Sequence, residues 1–487
     1  MTGQHPTSEK DMKILLAGLM VSLFAAVGQC GDRELVWPQF RGPGGSGVAE
    51  SARPPVEFGP ARNVKWKVAV PDGLSSPIIA GDNLVLTAFD DGKLVTIAYR
   101  RVDGKEAWRA VAPAQQIEPY HNTEGSPASS TPVTDGKRIV SYFGSCGLLC
   151  YDLAGNELWK FELPAVNLPG EFGSGVSPIL ADGTVILVRD HLQGSSIIAV
   201  DAATGSRQWE RPRQSPVSYC TPVAWDTPGG IQIVAAGHAR MIGYDLKSGE
   251  EKWSLLGIPS ACCSSPMTVD GVLYFAGGSG SADDAEFQMP AFDSLLKDLD
   301  ADKNGFLSRD EAEKQFAGFF DNQDANKDGK ITRDEWEAIQ KLMAEGKNAA
   351  FALRAGGVGD VTDSALWKQT KGLPYVPSAI LYRGQLVMVK DGGIVTAYDA
   401  RTGDQIYMQR GVEGGRYYAS PVAANGNIYF TSLEDGVVTV LKAGTDQPEL
   451  IVKNPALGER VAATPAIADD TLYLRTDGHL YAFAEKR

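Results

Sequence analysis

The chain has 487 residues, of which 43% are apolar and 22% charged, proportions of a folded soluble protein that exclude both a disordered chain and a polytopic membrane protein. Its formal net charge is −14, and residues 281–347 alone carry 17 Asp and Glu against 9 Lys and Arg, a net of −8, so over half of the net negative charge lies in one stretch. No basic surface is left that would take a nucleic acid.

Lys10 and Lys13 precede an apolar run from Ile14 to Val27 that stops at Gly28-Gln-Cys30-Gly-Asp32. This order predicts an export signal over 1–30, too short to span comfortably as a membrane helix, and hence a periplasmic or extracellular protein. A buried terminal strand or helix is the plainer alternative, and Met12 is a second candidate start. Contact with a membrane is expected only if Cys30 carries a lipid, and Gln29 stands where lipoprotein signals place a small residue. Residues 31–63 read as an N-terminal arm. Within it, Gly42, Gly44 and Gly47 satisfy Gly-x-Gly-x-x-Gly, but no strand precedes them and Pro54 and Pro55 follow in place of a helix, so the dinucleotide reading fails. The segment Trp37 to Gly47 is expected to lie as an ordered arm on the body of the protein.

From residue 64 the chain repeats one unit, clearest between Pro178 and Trp209. Thr184-Val-Ile-Leu-Val188 and Ser196-Ile-Ile-Ala-Val200 are short β-branched runs, Asp201-Ala-Ala-Thr-Gly205 is a turn, and Trp209 lies on a further strand. Aligned copies start at Pro77, Pro132, Pro178, Pro222, Pro266, Ala379, Pro421 and Pro465, with one interval of 113 residues where the others run from 42 to 55. Four strands recurring at about 44 residues predict an all-β, eight-bladed propeller of four-stranded antiparallel blades, over 64–280 and 348–487. The last copy lacks its outer strand, and Val64-Lys-Trp-Lys-Val68 is a strand without a blade; pairing them closes the ring and removes both open edges. Trp66, Trp108, Trp159, Trp209, Trp253, Trp367, Tyr407 and Leu450-Ile-Val452 are then the eight outer strands.

The run Ala199-Val-Asp201-Ala-Ala-Thr204-Gly205-Ser-Arg-Gln-Trp209 resembles the Ala-x-Asp-x-x-Thr-Gly-x-x-x-Trp motif of the pyrroloquinoline-quinone-like, quinoprotein-type propeller repeats. Ala397, Asp399, Thr402 and Gly403 match again, with Tyr407 for the Trp, and the copies ending at Trp159 and Trp253 are looser. The resemblance covers residues 64–487 apart from the long interval and includes the Trp37–Gly47 leader. It implies that each Trp docks on the neighbouring blade, and it brings in a competing function, a quinone-dependent dehydrogenase of alcohols or sugars. Cys262-Cys263 resembles the adjacent-cysteine disulfide of those enzymes, but it stands in Ser260-Ala-Cys-Cys-Ser-Ser-Pro266 and not in their Gly-Asp-Cys-Cys context. No motif carries their calcium-binding Glu, Asn and Asp or their Trp floor onto this chain, so pyrroloquinoline quinone is a minor expectation. Pairing of Cys220 with Cys262 or Cys263, across two blades, is equally open.

Blade topology places first-strand starts and second-strand ends on one mouth of the channel: Ser75, Ser76, Ser129, Ser130, Tyr219, Cys220, Ser264, Ser265, Tyr418 and Ser420, with Asp190, His191, His238, Arg240, Asp391, Glu434 and Asp435. Such a polar rim either binds a ligand, a protein or a carbohydrate, or is simply solvated. The histidines have no metal-ligand spacing and no hydrolase motif is present, so catalytic residues are not assigned.

The long interval holds two EF-hand loops. Asp300, Asp302, Asn304, Phe306, Ser308 and Glu311 occupy the ligand positions of the first, with Gly305 at the turn; Asp324, Asn326, Asp328, Lys330, Thr332 and Glu335 occupy those of the second, with Gly329. Side-chain oxygens at positions 1, 3 and 5, a carbonyl at 7 and a two-oxygen Glu at 12 suit Ca²⁺, so two calcium sites are expected within 281–347. Leu307 and Ile331 should pair the loops. Phe292, Leu295, Leu296, Leu299, Phe316, Phe319, Phe320, Trp336, Ile339, Leu342 and Met343 read as the helical core of this module. The loops begin only 24 residues apart, so one helix should leave the first and enter the second, which favours structural or buffering calcium over a target-gripping switch. The module falls between the second and third strands of the fifth blade, beside the mouth. The chain is thus expected to be an exported, calcium-binding propeller serving as a binding scaffold, with the quinone dehydrogenase, or a lipid-anchored assembly factor, as alternatives.

Overall fold

The computed structural model describes residues 36–485 except 169, 170, 193, 280–288, 317–319, 325, 327 and 345. The expected export signal and Cys30 lie outside the described residues. Among the described residues no helix is long and apolar enough to cross a membrane.

Eight four-stranded antiparallel sheets form a propeller. In the third, Ile179–Ala181, Thr184–Arg189, Ser196–Asp201 and Arg207–Pro212 follow one another outward from the channel, and the middle two strands are wholly or almost wholly buried because neighbouring blades cover both faces. The apolar clusters accordingly join adjacent blades: Ile186, Val188 and Trp209 of the third pack with Ile233, Ile242 and Tyr244 of the fourth. The ring closes where Val64–Ala69 pairs antiparallel with His479–Phe483, completing the eighth blade.

The tryptophans bind the blades together. Trp66, Trp108, Trp159, Trp209 and Trp367 each donate the indole N–H to a turn carbonyl of the next blade at 2.8–3.0 Å. Trp159 lies on Gly205, which has φ +73°, and a Cβ there would come within 2.7 Å of the indole, so a side chain is excluded. Trp253 departs from the pattern and donates to Gln232 Oε1 of its own blade. The fifth blade has no Asp-x-x-Thr-Gly turn to receive it; the chain there makes the short strand Gly359–Asp360, which pairs parallel to Trp253 and Ser254 and adds a fifth strand to the fourth blade.

The fifth blade is interrupted between Val272–Gly277 and Ala349–Arg354, which still pair along their length. Between them stand helices α1 (Phe292–Leu299), α2 (Arg309–Phe316), α3 (Phe320–Gln323) and α4 (Arg333–Ala344). The single helix expected between the loops is described as two pieces, α2 and α3, with residues 317–319 between them. Leu307 pairs with Ile331, and both are buried with Phe292, Leu295, Phe320 and Trp336 in a core separate from those of the blades.

The arm does more than lie on the surface. The carbonyls of Trp37 and Pro38 accept N–H groups from Ile79 and Thr134 on the innermost strands of the first two blades. Arg41 reaches the Ala379 carbonyl of the sixth blade, and Gly47 and Ala49 bond to Ala423 of the seventh. The arm therefore crosses the channel. Gly42, φ +69°, lies on the buried Trp37 indole, where a Cβ would meet the ring at 2.7 Å; the glycines serve this crossing and not a nucleotide turn.

Candidate functional site

The residue before each aligned Pro or Ala is Ser or Thr in all eight blades: Ser76, Thr131, Ser177, Thr221, Ser265, Ser378, Ser420 and Thr464. Each hydroxyl oxygen accepts the backbone N–H of the same position in the preceding blade, as Ser177 accepts from Thr131, at 2.9–3.2 Å. Ser76 accepts from Thr464, so the hydrogen bonds close into a ring around the channel. The start of each innermost strand leaves an N–H with no partner in its own sheet, and a hydroxyl one residue wide satisfies it across the blade boundary.

Above this ring opens a cavity of about 860 Å³. Six of the eight ring residues line it, with Phe40 of the arm, the aromatic rings of Phe172, Tyr219, Tyr375 and Tyr418, and the polar groups of Glu124, Asn167 and Glu171. Phe172 and Tyr219 meet edge to face with centroids 6.3 Å apart. Glu124, on the connection from the first to the second blade, reaches across the mouth to the Tyr418 hydroxyl and to Arg416, 3.1 Å away. Those hydrogen bonds and the Arg416 charge hold its carboxyl below the ordinary range although partial burial opposes this.

Of the rim residues expected from topology, Ser76, Ser129, Tyr219 and Tyr418 line the cavity. The second-strand ends do not, because their polar groups are taken up by their own blade and the connections that enter or leave it. Asp190 and Arg213 form a buried two-point ion pair at 2.7 and 3.1 Å, with Tyr244 on the same guanidinium. His191 Nε2 accepts an N–H of Arg189 at 3.2 Å, and burial pulls its imidazole down to about 4. His238 Nδ1 lies 2.9 Å from the Ser260 carbonyl. Asp391 accepts the Tyr417 N–H and Glu434 binds Arg416, both outside the cavity wall. Thr131, Ser177, Thr221, Ser378 and Thr464 were missed as lining residues, although a hydroxyl residue before the aligned position of every blade was there to be read.

All five described cysteines are free thiols. Cys220 and Cys262 donate to one carbonyl, that of Ser264, at 3.1 and 3.4 Å in the core between the fourth and fifth blades, whereas Cys263 faces the cavity. Of the open pairings, the geometry brings Cys220 to Cys262 and turns Cys263 away from its neighbour. Burial and the Cys220 thiol push the Cys263 thiol up to about 12.

The helical module stands over the same mouth, with Gln323, Asp324, Asn326 and Ile339 in the cavity wall. Ile339, expected in the module's core, is only half-buried and lines the cavity instead. The two loops share one hydrogen-bond pattern. At position 1, Asp300 and Asp324 each accept the N–H of position 5 at 3.1 Å and of the position 6 glycine at 2.8–3.0 Å. At position 12, Glu311 and Glu335 accept the N–H and hydroxyl of position 9, Ser308 and Thr332, at 2.7–3.0 Å. Gly305 and Gly329 have φ near +84°. In the first loop, oxygens of Asp300, Asp302 and Glu311 lie within 4.8 Å of one another, the one such cluster of acidic, histidine or cysteine ligands among the described residues. Asn304 donates to Asp302 and Asp328 accepts from the Lys330 N–H, and position 7 is Phe306 in the first loop and Lys330 in the second. Oxygen donors alone, several of them carboxylates, suit a hard divalent cation.

A four-stranded, eight-bladed ring with Trp-to-turn docking defines a quinoprotein-type propeller. The family model described as "Outer membrane protein assembly factor BamB" matches residues 95–285 and 348–487, and the chain belongs to this family. An EF-hand model matches residues 316–340. Similar solved structures include BamB from Moraxella catarrhalis, 15% identical over 86% of this chain and 98% of that one, with a TM-score of 0.52. A europium-containing methanol dehydrogenase is 9% identical over 91% and 96%, with a TM-score of 0.56. The quinohemoprotein alcohol dehydrogenase from Comamonas testosteroni is 13% identical over 93% and 81%, with a TM-score of 0.50. No curated protein sequence matches the chain.

Proposed function

We propose that this protein is an exported, calcium-binding propeller that holds a ligand in its mouth cavity, a binding scaffold and not a catalyst. The observation that carries the reading is the identical hydrogen-bond pattern of two loops, each with oxygen donors at the six EF-hand ligand positions, in a module set over the cavity. Asp300, Asp302, Asn304, Ser308 and Glu311, with the Phe306 carbonyl, would hold one Ca²⁺; Asp324, Asn326, Asp328, Thr332 and Glu335, with the Lys330 carbonyl, would hold the second. Calcium there neutralises carboxylates that otherwise repel. Export is supported by the charge and apolar pattern of residues 10–32 and by the outer-membrane description of the family. Calorimetric titration of the full chain should give two calcium ions, falling to one in Glu311→Gln and one in Glu335→Gln; a chain that takes up none overturns the reading.

A second reading, quinone-dependent oxidation, is favoured by the likeness to methanol dehydrogenase. The cavity does not suit that cofactor. Pyrroloquinoline quinone carries three carboxylates, yet no Lys, Arg or His lines the cavity among the described residues, while Glu124, Glu171 and Asp324 do. No Trp lies in that lining either. Reconstitution with the quinone and calcium should give no dye reduction on alcohols or sugars.

A further inference from the structure

We infer that the mouth cavity takes a neutral saccharide, and that its affinity is set mainly by calcium in the second EF-hand loop. The inference rests on the cavity being the binding site proposed above, and names what it binds and what regulates it.

Charge narrows the ligand first. Among the described residues the lining has carboxylates at Glu124, Glu171 and Asp324 and no cationic side chain, and the nearby Arg416 and Arg460 are already paired with Glu124, Glu434 and Asp477, so an anion would meet no free counter-charge. Hydrogen bonding narrows it further. Every ring hydroxyl already accepts a backbone N–H, and none donates to a described residue, so at the floor the cavity offers O–H donors. Higher up, Asn167 and Glu171 offer acceptors. A ligand that accepts at one end and donates at the other, without charge, is a polyol. The walls decide which kind: Phe172, Tyr219 and Tyr375 are aromatic wall residues, which suits the C–H face of a sugar ring, whereas the Tyr418 ring is covered by Arg416 and Arg460; the volume is that of a small-molecule site.

Calcium enters through the wall. Asp324 and Asn326, positions 1 and 3 of the second loop, border the cavity beside Gln323, whereas no ligand residue of the first loop does. Asp324 is only 3% exposed. Without a cation its carboxylate and those of Asp328 and Glu335 in the same loop repel, which loosens the wall that Asp324 and Asn326 form; with a cation the wall is set. Linkage is reciprocal, so the saccharide should tighten calcium at the second loop by the same factor.

The test uses the full chain on an array of neutral and uronate-containing oligosaccharides, in about 2 mM calcium and again in EGTA, followed by calorimetry with the strongest binder. Expected are neutral binders only, affinity at least about tenfold weaker in EGTA and in Asp324→Ala, and a clearly smaller loss in Asp300→Ala, whose loop lies off the cavity and acts only through the Leu307–Ile331 pairing. Calcium uptake measured on both variants distinguishes the two failures. If neither loop of the wild type binds calcium, the functional reading falls first. If calcium binds but no saccharide does, if uronates bind in preference, or if Asp300→Ala weakens binding as much as Asp324→Ala, the inference is overturned. A circular-dichroism spectrum matching wild type qualifies each variant, and Asn326→Ala replaces Asp324→Ala if the latter does not fold.

Discussion

Trp209 shows at one position how the blades hold each other. Its indole N–H donates to the Leu246 carbonyl at 2.8 Å, and its ring covers Gly249, φ +70°, where a Cβ would sit 2.6 Å away. Trp209→Ala should therefore cost about 3–5 kcal/mol, lost burial and cavity together, read as a lower denaturation midpoint at unchanged slope. Trp253→Ala tests a different arrangement, since its N–H partner lies in its own blade. Glu118 gives a pH dependence. Its carboxyl is buried behind Gly144 and Gly173 at the cavity wall, and burial pushes it up to about 8 although the Ser174 N–H binds one oxygen at 2.7 Å. The unfolded chain ionises this group near 4.5, so between 4.5 and about 8 the folded state holds a proton that the unfolded state has lost. Stability should fall as pH rises through that window, and Glu118→Gln should flatten the fall. Parallel melting curves of the two proteins from pH 4 to 9 check the sign.

The arm and the helical module are the elements that the propeller repeat does not explain. Trp37 is fully buried, and the Pro38 carbonyl is tied to the second blade while Arg41 is tied to the sixth, four places round the ring, so the arm braces blades on opposite sides of the channel. Gly42→Ala meets both a left-handed backbone and the Trp37 ring and should lower the melting temperature by several degrees, whereas an alanine at Gly44, with open space around it, should cost less. The module has its own apolar core of Phe292, Leu295, Leu307, Phe320, Ile331 and Trp336, distinct from the blade clusters. Calcium chelation should consequently reduce the helical signal in the far ultraviolet and leave the melting of the propeller in place. A single shared transition that moves with calcium would contradict this separation.

At the scale of the molecule, the ring is sealed by one strand from the start of the chain and three from its end, with Trp66 opposite Ala482 and Ala69 opposite His479. That closure removes two sheet edges and buries Trp66 on the first blade. A chain beginning after Ala69 should expose both edges, elute as aggregate in size exclusion and lose the cooperative transition, whereas a chain beginning at residue 36 should melt as the full chain does.

Blade number, the closing strand, the outer Trp set and the paired loops at Leu307 and Ile331 were legible in the sequence. Each is written locally: strand, turn and EF-hand motifs are fixed by residues a few positions apart, and repetition multiplies the signal. What only the tertiary structure decided is which side chains meet across strands and blades. Asp190, His191 and His238 stand where topology puts a rim, yet Arg213 and the Ser260 carbonyl, just past the outer strands of the same blades, and Arg189 on the adjoining strand take up their polar groups, and the groups turn inward. Ser177 and its counterparts give no local signal beyond a hydroxyl before a proline, and they become a ring only when eight blades bring each hydroxyl to the N–H of the blade before it. The arm's path through the channel, the parting of Cys262 from Cys263 and the place of Asp324 in the cavity wall depend likewise on contacts between residues far apart in the chain. No periodicity encodes those contacts, because they arise from how the rigid blades and the module are set against one another.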